Sequence, residues 1–130
     1  MKLRHLIAAA GAAFALLAAQ PSSAQQAYPT KPVRLIVPYS AGAGTDTTAR
    51  VIAAKVSEKW GQQVIVDNRT GAGGAIALEY TAGANPDGYT LLLITASQAV
   101  IAASGQKLPY DILRDLRPIS HVTSVYYVVY

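Results

Sequence analysis

Three short apolar runs separated by helix-like segments form the main pattern of residues 25–130. Val33–Val37, Gln63–Val66 and Thr90–Ile94 are rich in aliphatic and β-branched residues and are bounded by Pro, Gly or polar residues. Runs of this length and composition predict β-strands. Because Thr90–Ile94 ends in four consecutive aliphatic residues, it predicts a strand that is buried on both faces.

The segments between these strands carry helical periodicity. The first helix is expected to begin near Thr45 or Asp46, either of which could cap its N-terminus, and to stop at Gly61. A shorter helix is expected over Ala75–Ala82, and a short helical or irregular segment over Thr95–Ala103. In the first helix the apolar side is predicted to hold Ala49, Ile52, Ala53, Val56 and Trp60, and the polar side Arg50, Lys55, Glu58 and Lys59.

The C-terminal part continues the alternation of strands and helices. Asn85–Gly88 has Pro and Gly at the positions that favour a tight turn. Leu108–Pro118 is predicted to be a loop with two acidic residues, and Ser120–Tyr130 a fourth strand. The order βαβαβ(α)β predicts an α/β fold with a mostly parallel sheet covered by helices on both faces.

The N-terminus has the features of an export signal. Lys2 and Arg4 precede the uncharged run Leu6–Ala19, and Ser22-Ser23-Ala24 forms a small-residue cleavage site. The run of 14 residues is too short for a membrane helix, which needs about 20, so a membrane anchor is the less favoured interpretation. Residues 1–24 are therefore predicted to be a signal peptide cleaved after Ala24, which implies a periplasmic location.

Charge and composition after that cleavage exclude several classes of function. Without Lys2 and Arg4, nine basic residues remain against seven acidic ones, a net charge of about +2. The basic residues are scattered singly, so we expect no nucleic-acid partner. Cysteine is absent from the chain, which excludes thiol chemistry and cysteine metal sites.

Three loops rich in small residues follow the predicted strands at equivalent positions. They are Tyr39–Asp46, Asn68–Gly74 and Thr95–Gln98. Ligands of open α/β sheets bind beyond the carboxyl ends of the strands, where helix N-termini favour an anion. Any one of these loops could simply make a tight turn, but three at equivalent positions favour a binding crevice.

No catalytic or metal-binding constellation is evident in the sequence. His121 stands alone in an apolar, strand-like context, and no Lys follows Gly44 as a phosphate-binding loop would require. We therefore predict no catalytic residues, no metal and no cofactor. Asp46 has three possible roles that the sequence leaves open: an ion pair with Arg50, an N-cap, or a hydrogen bond to a ligand.

A dinucleotide-binding enzyme is the competing interpretation of the first loop. Gly42-Ala43-Gly44 follows a strand and opens a helix, and Asp67 ends the next strand. However, Thr47 stands in place of the third Gly, and Pro38-Tyr39 lengthens the turn. This interpretation is therefore disfavoured, since a partial fingerprint is weak evidence.

Five groups of residues, in order and at a characteristic spacing, indicate a specific family. They are Tyr28–Pro32; Pro38-Tyr39 with Gly42, Asp46, Ala49 and Arg50; Val66–Arg69 with Gly71–Gly74; Pro86–Thr90; and Leu108–Asp111. With these groups the run from Tyr28 to Tyr130 resembles the N-terminal portion of the Bug-type solute receptors, the extracytoplasmic component of tripartite tricarboxylate transporters.

This resemblance implies a lobe of the periplasmic binding protein type (type II), in which two α/β lobes close on a ligand. It implies binding and delivery without a reaction, a small carboxylate as ligand (a di- or tricarboxylate, an amino acid or an aromatic acid) and the membrane permease subunits of such a transporter as partners. The ligand-binding positions carried over to this chain are Ser40, Ala41, Gly42, Gly44, Thr45, Asp46, Gly73, Gly74, Ala75, Thr95 and Ser97.

The chain also departs from the family pattern. Ala43 and Ala77 stand where Gly is common, Ala75 stands where Asn is common, and the segment after Ser97 is one residue short, so the identity of the solute does not transfer. Residues 25–130 are expected to be the N-terminal part of the first lobe, ending at the crossover strand towards a second lobe that this chain lacks. A truncated, non-functional paralogue of such a receptor is the alternative.

Overall fold

The computed structural model describes residues 27–105 and 107–124. The predicted signal peptide with its cleavage site lies outside the described residues, and so does the 125–130 part of the predicted fourth strand.

A three-stranded parallel sheet forms the centre of the described region. Its strands are β1 (Val33–Val37), β2 (Val64–Asn68) and β3 (Thr90–Leu92), in the order β2-β1-β3. Leu35 of β1 lies in register with Val66 on one side and with Leu91 on the other. The predicted parallel α/β arrangement is thereby confirmed, with β1 at the centre.

Within the described ranges, four helices connect or follow the strands. The first ends at Gly61, which adopts a left-handed conformation (φ 64°) and donates its N–H to the carbonyl of Ser57, as predicted for a helix stop. The helices are α1 (Gly44–Trp60), α2 (Ala75–Ala82, after a 3-10 turn at Ala72–Gly74), α3 (Ala96–Ala103) and α4 (Ile112–Asp115).

Small residues bring α1 close to the sheet. Leu35 and Val37 of β1 form a buried cluster with Ala49, and Ala53 one helical turn later is also buried. The other predicted apolar positions of this helix, Ile52, Val56 and Trp60, are only half-buried.

The opposite face of β1 carries α2. Because side chains alternate along a strand, Arg34 and Ile36 point away from the face that holds Leu35. Arg34 donates a hydrogen bond to the Tyr80 hydroxyl of α2 (3.4 Å), and Leu78 of α2 is fully buried. Helices therefore cover both faces of the sheet, as the alternation of elements predicts.

Two strand predictions need correction. The third strand ends at Leu92 rather than Ile94, and its residues are half-buried instead of buried on both faces. The reason is its position, because β3 lies at an edge of the sheet that the described residues form and has β1 alone as a partner there. The second strand is longer than expected and includes Asp67 and Asn68.

The C-terminal region also differs from the prediction. Leu108–Pro118 contains the short helix α4, whose N-cap Asp111 accepts hydrogen bonds from the N–H groups of Leu113 (2.9 Å) and Arg114 (3.2 Å). Residues 116–124 have no regular secondary structure, so the fourth strand is absent from the 120–124 part of its predicted range, and His121 is exposed.

The predicted turn at Asn85–Gly88 is confirmed at the opposite end of the sheet from the three loops. Gly88 has φ 81°, and Asp87 accepts a hydrogen bond from the N–H of Tyr89 (3.0 Å). Lys31 pairs with Asp87 (3.3 Å), which fastens the segment before β1 to this turn. Within the part of the chain that the structure describes, no helix is long and apolar enough to cross a membrane.

Candidate functional site

The three small-residue loops meet at one edge of the sheet, the edge that the carboxyl ends of its strands form. They follow the carboxyl ends of three parallel strands, and β1 lies between the other two. The loop after β1 is therefore flanked by the loop after β2 on one side and by the loop after β3 on the other. This is the position at which open α/β sheets bind ligands.

Asp46 is buried beneath the first loop and holds it through hydrogen bonds. Its side chain is 3% exposed. Its carboxylate accepts hydrogen bonds from the N–H of Gly42 (2.8 Å), from Nε of Arg50 (2.9 Å) and from Nδ2 of Asn68 (2.9 Å). Asn68 also donates to the carbonyl of Tyr39 (2.9 Å), so the end of β2 is joined to both ends of the loop.

These contacts decide between two of the roles that the sequence leaves open for Asp46. The helix begins at Gly44 with Ala43 as its N-cap, which makes no side-chain capping hydrogen bond, so the prediction that Thr45 or Asp46 caps it is wrong. The predicted ion pair with Arg50 is present. The hydrogen bonds from Arg50, Gly42 and Asn68 lower the pKa of the Asp46 carboxyl to about 2, so it is ionised at neutral pH.

Three hydroxyl groups join the first loop to the third. The Tyr39 hydroxyl lies 2.7 Å from Oγ1 of Thr95 and 3.0 Å from Oγ of Ser97, and these two oxygens are 2.7 Å apart. We call Tyr39, Thr95 and Ser97 the hydroxyl cluster. Burial raises the pKa of Tyr39, but its hydrogen bonds with Ser97, Thr95 and Gln98 together outweigh burial and lower the pKa below its ordinary value.

Gln98 connects all three loops. It is 3% exposed. Its Oε1 accepts from the N–H of Thr95 (2.9 Å), while its Nε2 donates to the carbonyl of Gly73 (3.2 Å) and to the Tyr39 hydroxyl (3.0 Å). One buried amide thus fixes the distances between the loops that follow β1, β2 and β3.

The second loop needs glycine because it packs tightly against this amide. Gly74 has φ 99°, and a Cβ there would lie 2.8 Å from Nε2 of Gln98 and 3.1 Å from Cβ of Pro38. Gly71 and Gly73 also have positive φ, and so does Ala72 (φ 48°), a conformation that is costly for a residue with a Cβ.

The structure brings the predicted site residues to one edge but gives them different surroundings. Ser40, Ala41, Gly44 and Ser97 are exposed there, and Thr45 and Thr95 are half-exposed. Asp46 and Gly74 are buried beneath the loops. The N–H groups of Gly42, Gly74 and Ala75 are already engaged, by Asp46, the carbonyl of Gly71 and the carbonyl of Ala72, respectively, whereas Gly73 contributes its carbonyl to Gln98.

Sequence reasoning did not select Tyr39, Asn68 and Gln98 as site residues. For Gln98 a signal existed, because Thr95 and Gln98 have the spacing of a capping box, and its reciprocal hydrogen bonds are present at the start of α3. For Tyr39 and Asn68 the contacts are with residues 22 to 59 positions away, which no local pattern encodes.

The positive charges nearest to the loops are paired. Arg50 is bound to Asp46, and Arg69 pairs with Asp67 (3.2 Å) while its guanidinium lies 3.5 Å from the centre of the Tyr80 ring. Among residues 27–105 and 107–124, no three His, Cys, Asp or Glu side chains are placed to hold a metal ion. The edge therefore offers hydroxyl and backbone N–H donors with little net charge of its own.

The family of the chain follows from comparison with known proteins. Residues 48–130 match the model of the "Tripartite tricarboxylate transporter family receptor". The chain belongs to this family. Members are solute-binding receptors of a transporter system in the periplasm, and the dinucleotide-binding alternative is not favoured.

Individual relatives agree with this assignment. Protein BugT of Bordetella pertussis is 39% identical over 127 residues, which are 96% of this chain and 39% of that protein. MatC of Rhodopseudomonas palustris, solved with bound malate, is 36% identical with a TM-score of 0.63, over 68% of this chain and 30% of MatC. A TctC solute-binding protein from Polaromonas is 42% identical with a TM-score of 0.50, over 52% of this chain and 23% of its own length.

These likenesses confirm the predicted fold class. The described region is an incomplete lobe of a periplasmic binding protein, with a parallel sheet covered by helices. The chain spans about a third of the length of the curated relatives that it matches.

Proposed function

We propose that this chain contributes the first lobe of a receptor that captures a small carboxylate for a tripartite tricarboxylate transporter. The observation that supports this proposal is that three loops meet at one edge of the sheet. Gln98 holds these loops together, and they present neutral hydrogen-bond donors. The solute is a di- or tricarboxylate, an amino acid or an aromatic acid, and the receptor delivers it to membrane permease subunits without a reaction.

The donors at this edge suit a carboxylate. The first turn of α1 leaves the N–H groups of Gly44 and Thr45 without a helical acceptor, and no side chain caps that helix. The partial positive charge of a helix N-terminus favours an anion at this point. Ser97 adds an exposed hydroxyl from the neighbouring loop, so two sides of a carboxylate can be satisfied together.

Within the predicted set of site residues we assign two kinds of role. Ser40, Ala41, Gly44, Thr45 and Ser97 are proposed to contact the solute, because they are exposed or half-exposed at the edge. Asp46, Gly42 and Gly74 are proposed to shape the loops, because their polar groups or their space are already occupied. Gly73, Ala75 and Thr95, in or next to the second and third loops, are proposed to complete the site.

A chimera tests the proposal. Residues 27–124 replace the structurally matching segment of MatC, and the purified chimera is screened by thermal shift with malate, adipate, citrate, glutamate and benzoate, and with NAD⁺ as the competing ligand class. A solute at 100 times its Kd stabilises the native state by about 2.7 kcal/mol. We expect stabilisation by at least one carboxylate and none by NAD⁺; the opposite result contradicts the proposal.

A matched pair of variants attributes binding to this chain. Ser97→Ala removes the exposed hydroxyl at the start of α3, whereas Ser104→Ala removes a hydroxyl at its end that bonds only the carbonyl of Ile101 (2.7 Å) among the described residues. We expect Ser97→Ala to weaken carboxylate binding about 10-fold or more, as for a hydrogen bond to a charged acceptor, and Ser104→Ala to leave it unchanged.

Export is the second part of the proposal. We propose that residues 1–24 direct the chain to the periplasm and are removed there. Expressed in a bacterium with its own N-terminus, the chain should be recovered from the periplasmic fraction with Gln25 as its first residue. N-terminal sequencing that returns Met1 would contradict cleavage, and a start elsewhere would move the boundary.

A further inference from the structure

Gln98 has a fixed amide orientation, and this gives the hydroxyl cluster a direction. A backbone N–H can only donate and a carbonyl can only accept. Because the N–H of Thr95 lies 2.9 Å from one end of the amide and the carbonyl of Gly73 lies 3.2 Å from the other, the first end is Oε1 and the second is Nε2. The amide is nearly enclosed, so water does not replace these contacts.

This orientation determines which way the protons in the cluster point. Nε2 donates its second proton to the Tyr39 oxygen (3.0 Å), so Tyr39 directs its own proton to Thr95 (2.7 Å) or Ser97 (3.0 Å), both of which are closer to it than Oε1 of Gln98 (3.5 Å). The Thr95 hydroxyl also lies 3.0 Å from Oε1, but this oxygen already accepts from the N–H of Thr95, and Ser97 lies closer to the hydroxyl (2.7 Å). When Tyr39 donates to Thr95 and Thr95 donates to Ser97, the two shortest contacts of the cluster (2.7 Å each) are both filled, and the proton of Ser97 is left over.

Ser97 is the one exposed member of the three hydroxyls, so its remaining proton is available to the crevice. Chains of hydrogen bonds that run in one direction polarise one another, which makes the last donor stronger. We propose that Gln98 is a positioning residue that sets the direction of this chain, so that Ser97 acts as a donor to an anionic oxygen of the solute. This inference rests on the proposed function and adds a determinant of selectivity for anionic over neutral solutes.

The first experiment needs no ligand. Gln98→Glu keeps the shape of the side chain, removes the two donors and adds a negative charge, so the carboxylate takes the protons of Tyr39 and Thr95 and reverses the chain. The Tyr39 hydroxyl is followed by ¹³C-ζ NMR titration in the full chain and in the MatC chimera, with Tyr39→Phe to assign its signal. We expect its pKa to rise by about one unit or more, since a donor is lost and a like charge is gained.

Gln63→Glu is the matched control for the change in charge. Gln63 lies just before β2, at the other end of the sheet, and its side chain is exposed. It should leave the titration of Tyr39 unchanged. A Tyr39 titration that does not move in Gln98→Glu, or that moves equally in Gln63→Glu, overturns the inference.

The second experiment measures binding of malate and of its neutral diamide to the chimera by calorimetry. Gln98→Glu should weaken malate binding by about 10-fold or more and should weaken binding of the diamide much less, because the amide can also donate to a reversed chain. An equal loss for both probes indicates a merely structural role and overturns the inference, while malate binding by the parent chimera shows that the proposed function stands.

Two further outcomes remain informative. If Gln98→Glu fails to fold, Tyr39→Phe interrupts the same chain at its next member and retains the Gln98 contact with Gly73; unchanged malate affinity in Tyr39→Phe then overturns the inference. If the parent chimera binds neither malate nor any other carboxylate of the screen, the proposed function fails, and the inference about selectivity fails with it.

Discussion

Asp46 places a full negative charge in a buried position beneath the first loop. Its carboxylate is satisfied by a backbone N–H, a guanidinium and an amide, which is why the charge is tolerated there. Sequence spacing predicts the pair with Arg50, because residues four apart share a helix face. The contact with Asn68 joins α1 to β2 across 22 positions and is visible only in the structure.

The pH dependence of stability should report on this carboxylate. Its folded-state pKa of about 2 lies below the ordinary value of 3.8. The carboxylate therefore stabilises the fold above about pH 4, and this contribution is lost as pH falls through 3.8 towards 2. In the chimera, Asp46→Asn should lower the midpoint temperature of unfolding at pH 7. The difference in midpoint temperature from the parent should shrink as the pH approaches 2.

Glu58→Gln provides the control for Asp46→Asn. Glu58 forms an exposed pair with Lys55 on the same helix, and surface changes of this kind usually alter stability by less than about 0.5 kcal/mol. An Asp46→Asn variant no less stable than Glu58→Gln, or a difference from the parent that does not depend on pH, would show that the anchor is unimportant.

At the scale of elements, the second loop shows how close packing makes one glycine different from another. Gly61→Ala, at the end of α1, should lower the free energy of unfolding by about 1–2 kcal/mol, because the alanine must adopt a left-handed conformation. No steric cost is added, since a Cβ there meets nothing within 4 Å. Gly74→Ala should lower the free energy of unfolding by about 1–3 kcal/mol more than Gly61→Ala does, because the new methyl group overlaps Gln98 and Pro38. Chemical denaturation of the two chimera variants measures the difference.

The same pair separates stability from binding. Because the methyl group displaces Gln98, Gly74→Ala should also weaken carboxylate binding, whereas Gly61→Ala should not. Equal stability losses in both variants, with unchanged binding, would indicate that the contact between Gly74 and Gln98 can relax without consequence.

The elements themselves were largely predictable, and the reasons differ from one to the next. Val33–Val37 has its predicted bounds because it is a β-branched run closed by Pro38, and its central position in the sheet buries most of it. The third strand was overextended because an aliphatic run does not reveal whether a strand has one partner or two. The helix start was misplaced by one or two residues because Ala43 caps it without a side-chain bond.

The candidate site was predictable in position but not in internal structure. Loops after parallel strands must share an edge, so small-residue composition sufficed to place Ser40, Gly73 and Ser97 together. The roles of Tyr39 and Gln98 depend on distances between loops, and those are set by packing across the sheet. A capping-box spacing at Thr95 and Gln98 was the one local sign of them.

At the scale of the whole molecule, apolar side chains stand exposed on the described surface. Leu113 is 93% exposed and Ile119 is 79% exposed, and Val51 and Val100 are also exposed. Exposed apolar surface drives association. We expect the 130-residue chain, expressed alone, to elute from size exclusion as oligomers and to bind carboxylates weakly, because its three loops are open to water.

The double variant Leu113→Glu with Ile119→Glu tests the cause of this association. It should shift the elution towards the monomer, whereas Lys107→Glu, an exposed change in the same region, should not. A parent chain that is already a monodisperse monomer with cooperative melting and micromolar carboxylate binding would contradict this expectation.

The pairing of Arg50 and Arg69 within the lobe has a consequence for how the receptor responds to its surroundings. Their charges are neutralised by Asp46 and Asp67. Under the proposed function, the crevice would therefore hold an anion through short-range dipoles, which dissolved ions screen little. It would not depend on the long-range attraction between charges, which dissolved ions screen over about 10 Å. Carboxylate affinity of the chimera should change less than about threefold between 0.05 and 0.5 M ionic strength, measured by calorimetry; a tenfold loss would point to an unpaired cation in the site. A receptor of this design would keep capturing its solute in a compartment whose ionic strength follows that of the surrounding water.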